Sequence, residues 1–188
     1  MFFIFVGEGS GTGPAIVEGD RTVDYATLES RSRDIAAHVV AATRFVAPLT
    51  FETFAPGRVF SEMFAAGQDP LLHVNLAREC ELLLVAPASA DILGKMANGI
   101  ADDLLSTVFC AFFKRVVAAP AMNRHMLENP AVVDNLARLR ARGVEVIEAD
   151  EGPLANLEIG RGRMPDAQAL YDHAVARAGL SPEGRGEK

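Results

Sequence analysis

A single doubly wound α/β domain with a parallel sheet is the fold class the sequence predicts, on three observations. Short apolar runs, too brief for core helices, alternate with helical patterns along the chain. That alternation favours parallel strands joined through right-handed crossovers. With 188 residues and 49% hydrophobic content, there is enough chain to bury one substantial core and too little for two independent ones. The domain is expected over 1–179, and the closing "LSPEGRGEK", 180–188, reads as a solvated, disordered end.

In chain order, "FFIFV" (2–6), "ELLLVA" (81–86), "RVVAAP" (115–120) and "VEVIE" (144–148) have the continuous apolar character of strands buried on both faces. Residues 14–38 read as an amphipathic helix whose face runs through Tyr25, Leu28, Ile35 and on to Val39. In "DPLLHVNLAREC", Asp69 is a candidate N-cap and Pro70 suits the first helical position, with Leu72, Leu76 and Ala77 inward. "PAVVDNLARLRARG" has Val132, Leu136 and Leu139 on one side and Gly143 as a stop.

The totals exclude several classes. A formal charge of -7, with no long Lys/Arg run, leaves no electrostatic footprint for nucleic acid or an anionic membrane surface. The opening "MFFIFVGEGSG" lacks a positive segment and runs into glycines, as a first strand does and a signal peptide does not, and no segment is long enough to span a membrane. Cys80 and Cys110 sit in apolar-periodic segments, which indicates neither a disulfide framework nor a zinc site; Cys110 reads as a small core residue, and the compartment as cytoplasmic.

Parallel sheets bind ligands beyond the carboxyl ends of their strands, which directs attention to residues 7–13, 87–91, 120–126 and the 150s. "GEGSGTG" offers backbone N–H groups and the hydroxyls of Ser10 and Thr12 to an anion, though without the lysine of a P-loop, and it reads equally as a plain turn. "APASADILGKMANGIADDLLS" passes from strand to helix with Ser89 at the cap, a position that can also serve a ligand; Asp102 and Asp103 suit a solvated helix start. His73 falls in the first turn of its helix, where the dipole favours neutral imidazole, the form a base needs; a structural histidine is the alternative. Asn123 in "APAMNRHMLENP" is a candidate for a substrate carboxylate or carbonyl, or simply a cap, with His125 at the surface.

Together "ATRFVAPLTFETF", "HVNLARECELLLVAPASADILGKMANGIADDLLS", "VVAAPAMNRHMLENP" and "GRGRM" resemble, in collinear order over about 42–165, the homo-oligomeric flavin-containing cysteine decarboxylases. That family includes phosphopantothenoylcysteine decarboxylase, the lanthipeptide decarboxylases that act on a peptide's C-terminal cysteine, and non-enzymatic flavin-binding relatives. The resemblance implies a Rossmann-like, flavodoxin-like domain assembled as a homotrimer or homododecamer with FMN at subunit interfaces, FAD being the alternative. It implies that His73 is the catalytic histidine and Asn123 a substrate-binding residue, with Met126 and Asn156 beside the substrate. The cofactor contacts it implies are Gly9, Ser10, Thr12, Phe45, Pro87, Ser89, Ala90, Asp91, Ile92, Ala121 and Met122. Departures are visible: Asp91 and Ile92 replace the family turn's Asn and Thr, and Val39 stands where a Thr or Ser is usual.

Direct loss of carbon dioxide from cysteine would leave an unstabilised carbanion. The family's chemistry implies prior oxidation at the cysteine β-carbon, so that a thioaldehyde takes up the electrons and an enethiolate results. In phosphopantothenoylcysteine decarboxylase a cysteine in a late loop resembling "ACGxxGxGRM" serves a second, reductive step. This chain reads "ANLEIGRGRM", with Asn156 in place of that cysteine and Leu157 in place of the next glycine. An amide is not a redox-active thiol, so the oxidised enethiol is the expected product. Such a product suits aminovinyl-cysteine ring formation on a precursor peptide ending in cysteine. Phosphopantothenoylcysteine decarboxylation and a non-catalytic flavin-binding role are the competing expectations. Residues 151–166 read as a substrate-covering clamp with glycine hinges.

Overall fold

The computed structural model describes residues 2–8, 35–41, 59–64, 67–153 and 159–179, the first two stretches as backbone strands. Six strands form the main sheet: β1 (Phe2–Glu8), β2 (Ile35–Ala41), β3 (Val59–Phe60), β4 (Leu82–Ala88), β5 (Arg115–Pro120) and β6 (Glu145–Val146), in the order β3-β2-β1-β4-β5-β6. Helix α1 (Leu72–Glu79) leads into β4, α2 (Ala90–Asn98) and α3 (Leu104–Ala111) connect β4 to β5, and α4 (Arg124–Leu127) and α5 (Pro130–Ala141) connect β5 to β6. A separate antiparallel arm, β7 (Asp150–Pro153) and β8 (Ile159–Arg163), precedes the last helix, α6 (Ala167–Ala178).

The centre is the parallel pair β4–β5, in register at Leu83↔Val116, Leu84↔Val117 and Val85↔Ala118, with β6 parallel on its far side. Successive strand residues point to opposite faces, and both faces are covered. Leu83, Val85, Val116 and Ala118 pack with Leu76, Leu93, Met96, Val108, Leu136 and Leu139 from the helices on one side. Leu82, Leu84 and Val117 pack with Tyr171, Ala174 and Val175 of α6 on the other. This two-sided burial is why the strand sequences are continuously apolar rather than alternating.

Three differences from the sequence reading have physical reasons. The first strand takes its place beside β4 but runs antiparallel to it, with Phe2 opposite Ala86 and Val6 opposite Leu82. Residues 35–41 form β2, paired along its whole length with β1, rather than ending a helix; Ile35, Val39 and Val40 are β-branched, and the ladder overrides the 3.6-residue spacing. The rest of that expected helix, with Tyr25 and Leu28, lies outside the described residues. Cys110 is exposed at the end of α3 rather than in the core, while Cys80 is buried; burial, with Glu79 adding, pushes the Cys80 thiol up to about 12.

Other expectations hold closely. Val132, Leu136 and Leu139 face the core from α5, and Gly143 follows it at φ 88, a left-handed conformation that favours glycine. Asp69 is not the N-cap and Pro70 not the first helical residue: the helix begins at Leu72 with Leu71 as its cap, and Asp69, two residues before that cap, accepts from Leu71 N (2.9 Å) and Asn75 Nδ2 (2.6 Å). The strand in "VEVIE" is confined to Glu145–Val146. Leu93, fully buried in α2, sits at the middle of the main core. Leu93→Ala should lower stability by about 2–5 kcal/mol, seen as a reduced denaturant midpoint at constant m-value.

Candidate functional site

β4 and β5 are parallel, so both chains leave the sheet at the same edge, and the two turns that follow are neighbours. Ala88 pairs with Pro120 at that edge, and Ala121 N donates to Ala88 O at 3.1 Å, extending the ladder into the second turn. Pro87, after a cis peptide bond, and Ala88 carry β4 into α2. Ser89 caps that helix: its Oγ accepts from Ile92 N at 3.5 Å and its carbonyl from Leu93 N at 3.1 Å. The N–H groups of Ala90 and Asp91 take no partner among the described residues, so the positive end of α2 presents two orphan donors at the sheet edge.

The second turn carries Asn123 as the N-cap of α4. Its Oδ1 accepts from His125 N at 2.9 Å, which fixes the amide and leaves Nδ2 donating to nothing among the described residues. Ala121, Met122 and Asn123 are half-buried, and Met122 packs against the main core with Ala90 and Leu127. A third strand of chain meets them there. Met122 N donates to Gly162 O of β8 at 3.0 Å, and α4 packs on β8. Arg161, next to Gly162, is held by Glu148 at 2.9 Å and by Ala149 O at 3.3 Å.

His73 occupies the first turn of α1, as expected, and its Nδ1 is buried with no hydrogen-bond partner among the described residues. A buried polar nitrogen left unsatisfied is costly, so this nitrogen is a candidate for pairing with a bound molecule. Leu72, beside it, shares the core cluster of Ala90, Ile92 and Met122, but no hydrogen bond joins His73 to either turn.

The remaining expected contacts divide. Asp91 points outward, its side chain 75% exposed and 3.6 Å from Lys95. The Ile92 side chain is in the core at 2% exposure, so only its backbone belongs to the cap. Met126 is exposed, as is His125. Gly9, Ser10, Thr12, Phe45 and Asn156 lie outside the described residues. Glu8, the last described residue before the glycine-rich stretch of the sequence, is at the β1 end that lies beside the start of β4, away from the edge that carries Ser89 and Asn123.

Two residues the sequence reading passed over organise the surroundings. Gly162 anchors the Met122 turn. Lys95 collects three carboxylates, at 2.7 Å from Asp103, 2.9 Å from Asp102 and 3.6 Å from Asp91. Its signal was the i,i+4 spacing from Asp91, an ordinary helix pair that does not foretell the other two. Asp103 also caps α3 through a reciprocal box with Ser106, whose side chain is fully buried. The bonds from Asp103 and Asp102 push the Lys95 ammonium up from its ordinary value.

Orphan donors at a helix start, an oriented amide and an unsatisfied imidazole suit a planar heteroaromatic cofactor and a carboxylate substrate. The chain belongs to the Flavoprotein family, which it matches over residues 28–179. It is similar to the coenzyme A biosynthesis bifunctional protein CoaBC of Bacillus subtilis (strain 168), 42% identical over 132 residues, which are 69% of this chain and 32% of that protein. The chain thus spans about a third of the length of the curated relatives it matches. Among solved structures it is similar to the FMN-dependent cysteine decarboxylase SpaF, 30% identical at TM-score 0.60, covering 72% of this chain and 74% of that one. It is also similar to a PPC decarboxylase mutant complexed with pantothenoylaminoethenethiol, 33% identical at TM-score 0.57, covering 66% and 75%. Among the described residues no cluster could hold a metal ion, and no helix is long and apolar enough to cross a membrane.

Burial would raise the Asp103 carboxyl, but the Lys95 ammonium and the bonds from Ser106 outweigh it and hold the group below its ordinary value of 3.8. A folded-state pKa below the unfolded one stabilises fully above the unfolded value and is lost as pH falls through the folded value. Asp103→Asn keeps a cap acceptor and removes the titration. It should flatten the acid limb of stability against pH in denaturant titrations, whereas an unchanged slope would mean that the lowered pKa contributes nothing.

Proposed function

We propose that the chain is an FMN-dependent cysteine decarboxylase that acts on the C-terminal cysteine of a modified precursor peptide and releases an aminoenethiol for aminovinyl-cysteine ring formation. The residue that carries the choice of substrate is Asn156, which stands in "ANLEIGRGRM" where a loop cysteine would be needed for a reductive second step. The choice is consistent with solved relatives, among them EpiD of Staphylococcus aureus, 27% identical at TM-score 0.58, and an EpiD mutant complexed with the substrate peptide DSYTC.

FMN, when bound, supplies the two-electron oxidation of the cysteine Cβ–S unit, without which the electrons of the departing carboxylate have nowhere to go. The chain's own residues do the rest. The α2 start, with the N–H groups of Ala90 and Asp91 behind the Ser89 cap, holds a polar edge of the cofactor, and Ala121 and Met122 pack against it. Asn123 Nδ2 donates to the substrate carboxylate and so aligns the Cα–CO2 bond. His73, with Nδ1 inward and unsatisfied, takes the thiol proton as the sulfur becomes a thioaldehyde and later an enethiolate. The apolar wall of Leu72, Ile92 and Met122 excludes water. Exposed Phe64, Phe113 and Ile159 suit assembly with further copies, as a homotrimer or homododecamer in the cytoplasm.

The 42% identity to CoaBC favours a second reading, phosphopantothenoylcysteine as the substrate. In that case the absent loop cysteine should leave the product as an enethiol.

Purified protein with FMN, incubated with peptides ending in cysteine, should yield products lighter by carbon dioxide and two hydrogens in mass spectrometry. His73→Asn should lower turnover by about 10²-fold or more, the scale of a lost acid–base group, while FMN stays bound. Turnover of phosphopantothenoylcysteine with no change in any peptide would sink the peptide assignment, and unaltered activity in His73→Asn would remove that residue from the mechanism.

A further inference from the structure

Among the described residues, one backbone hydrogen bond joins the arm to the turn that carries Asn123. Met122 N donates to Gly162 O at 3.0 Å, and the other neighbours of that turn are Ala88, through Ala121 N, and α4, which packs on β8. Gly162 has φ 147, a conformation that side-chain-bearing residues avoid, so its carbonyl direction depends on the absence of a Cβ. One residue beyond Met122, the Asn123 amide is fixed by accepting from His125 N. The chain of contacts Gly162 O, Met122 N, Asn123 Oδ1, His125 N therefore runs from the arm to the group that faces the substrate.

We infer that Gly162 is a positioning residue for Asn123: by holding the Met122 amide it sets where the Asn123 side chain stands, and it ties the order of the arm's β8 strand to substrate alignment. The inference rests on the substrate-binding role assigned to Asn123, but the coupling is measurable without any substrate. The His125 amide is bonded to Asn123 Oδ1, so its hydrogen exchange reports whether that side chain is in place.

The test is hydrogen exchange with mass spectrometry on the full chain with FMN, following segments that contain Met122 and His125. Gly162→Ala should speed exchange at both amides by about tenfold while β4 and β5 amides stay as protected as before. Gly152→Ala, in the facing strand of the arm with ordinary φ and an added Cβ that meets Arg163 Cδ at 3.4 Å, should leave both unchanged. Equal effects of the two variants, or none from Gly162→Ala, would overturn the inference. In the unaltered protein the Met122 amide should exchange together with the β8 amides; exchange of Met122 independent of β8 would overturn it even if Gly162→Ala failed to fold.

With whichever cysteine substrate the protein turns over, Gly162→Ala should lower kcat/KM about tenfold, and should have no further effect in an Asn123→Ala background. Additive effects would contradict the coupling. A protein that turns over neither peptide nor phosphopantothenoylcysteine would remove the proposed function while leaving the exchange result to decide the coupling.

Discussion

The pairing of β4 with β5 in parallel is the constraint on which the rest depends. Parallel neighbours end at the same edge of a sheet, so the Ser89 cap and the Asn123 turn are adjacent, and the Ala121–Ala88 bond fastens them there. Had the pair been antiparallel, one turn would lie at the opposite edge, where the Glu8 end of β1 lies. Burial keeps the pair fixed. Leu82 to Val85 and Val117 to Ala119 are at most 1% exposed, with a layer on each face, so neither strand can slip by one residue without exchanging its two sets of contacts.

Charge is kept away from that edge by the same framework. The carboxylates nearest the α2 start are engaged elsewhere: Asp91, Asp102 and Asp103 with Lys95, and Glu148 with Arg161 and Arg140. At the edge stand the orphan N–H groups of Ala90 and Asp91 and the Asn123 amide, whose Nδ2 has no partner among the described residues. Under the proposed function a substrate carboxylate would meet these donors there. The second ionic cluster, Glu145 with Arg177 and His173, sits on the far face between β6 and α6. There the Arg177 guanidinium foremost, against the opposing effect of burial, holds the Glu145 carboxyl below its ordinary range. It fastens α6 to β6.

Much of this was legible in the sequence because strong local signals agreed with the tertiary outcome. Ser89 caps α2, Asn123 caps α4, and the inward residues of α5 are those the spacing selects. Strand direction was not legible, because an apolar run carries no sign of which way it pairs, and β1 turned out antiparallel. Ile35 and Val39 fitted two periods, and the ladder with β1 decided between them. Cys110 is apolar enough for a core, yet its helix ends there and turns it outward. Gly162 and Lys95 escaped notice because their roles depend on partners far along the chain: a backbone amide forty residues earlier in one case, and two further carboxylates in the other. Of the resemblance-based site, Ser89 and Asn123 are helix caps and His73 Nδ1 is buried without a partner among the described residues, whereas the Ile92 side chain lies in the core and Asp91 reaches toward Lys95.

The two substrate readings share His73, Asn123 and the same oxidation, and they part at Asn156 and at what lies beyond the cysteine. The measurement that separates them most directly is kcat/KM for a peptide ending in cysteine against phosphopantothenoylcysteine, with the same FMN-loaded preparation. A ratio favouring the peptide is expected, with enethiol as the product from either substrate. A ratio favouring phosphopantothenoylcysteine, with the fully reduced thiol released, would contradict both the peptide assignment and the meaning given to Asn156.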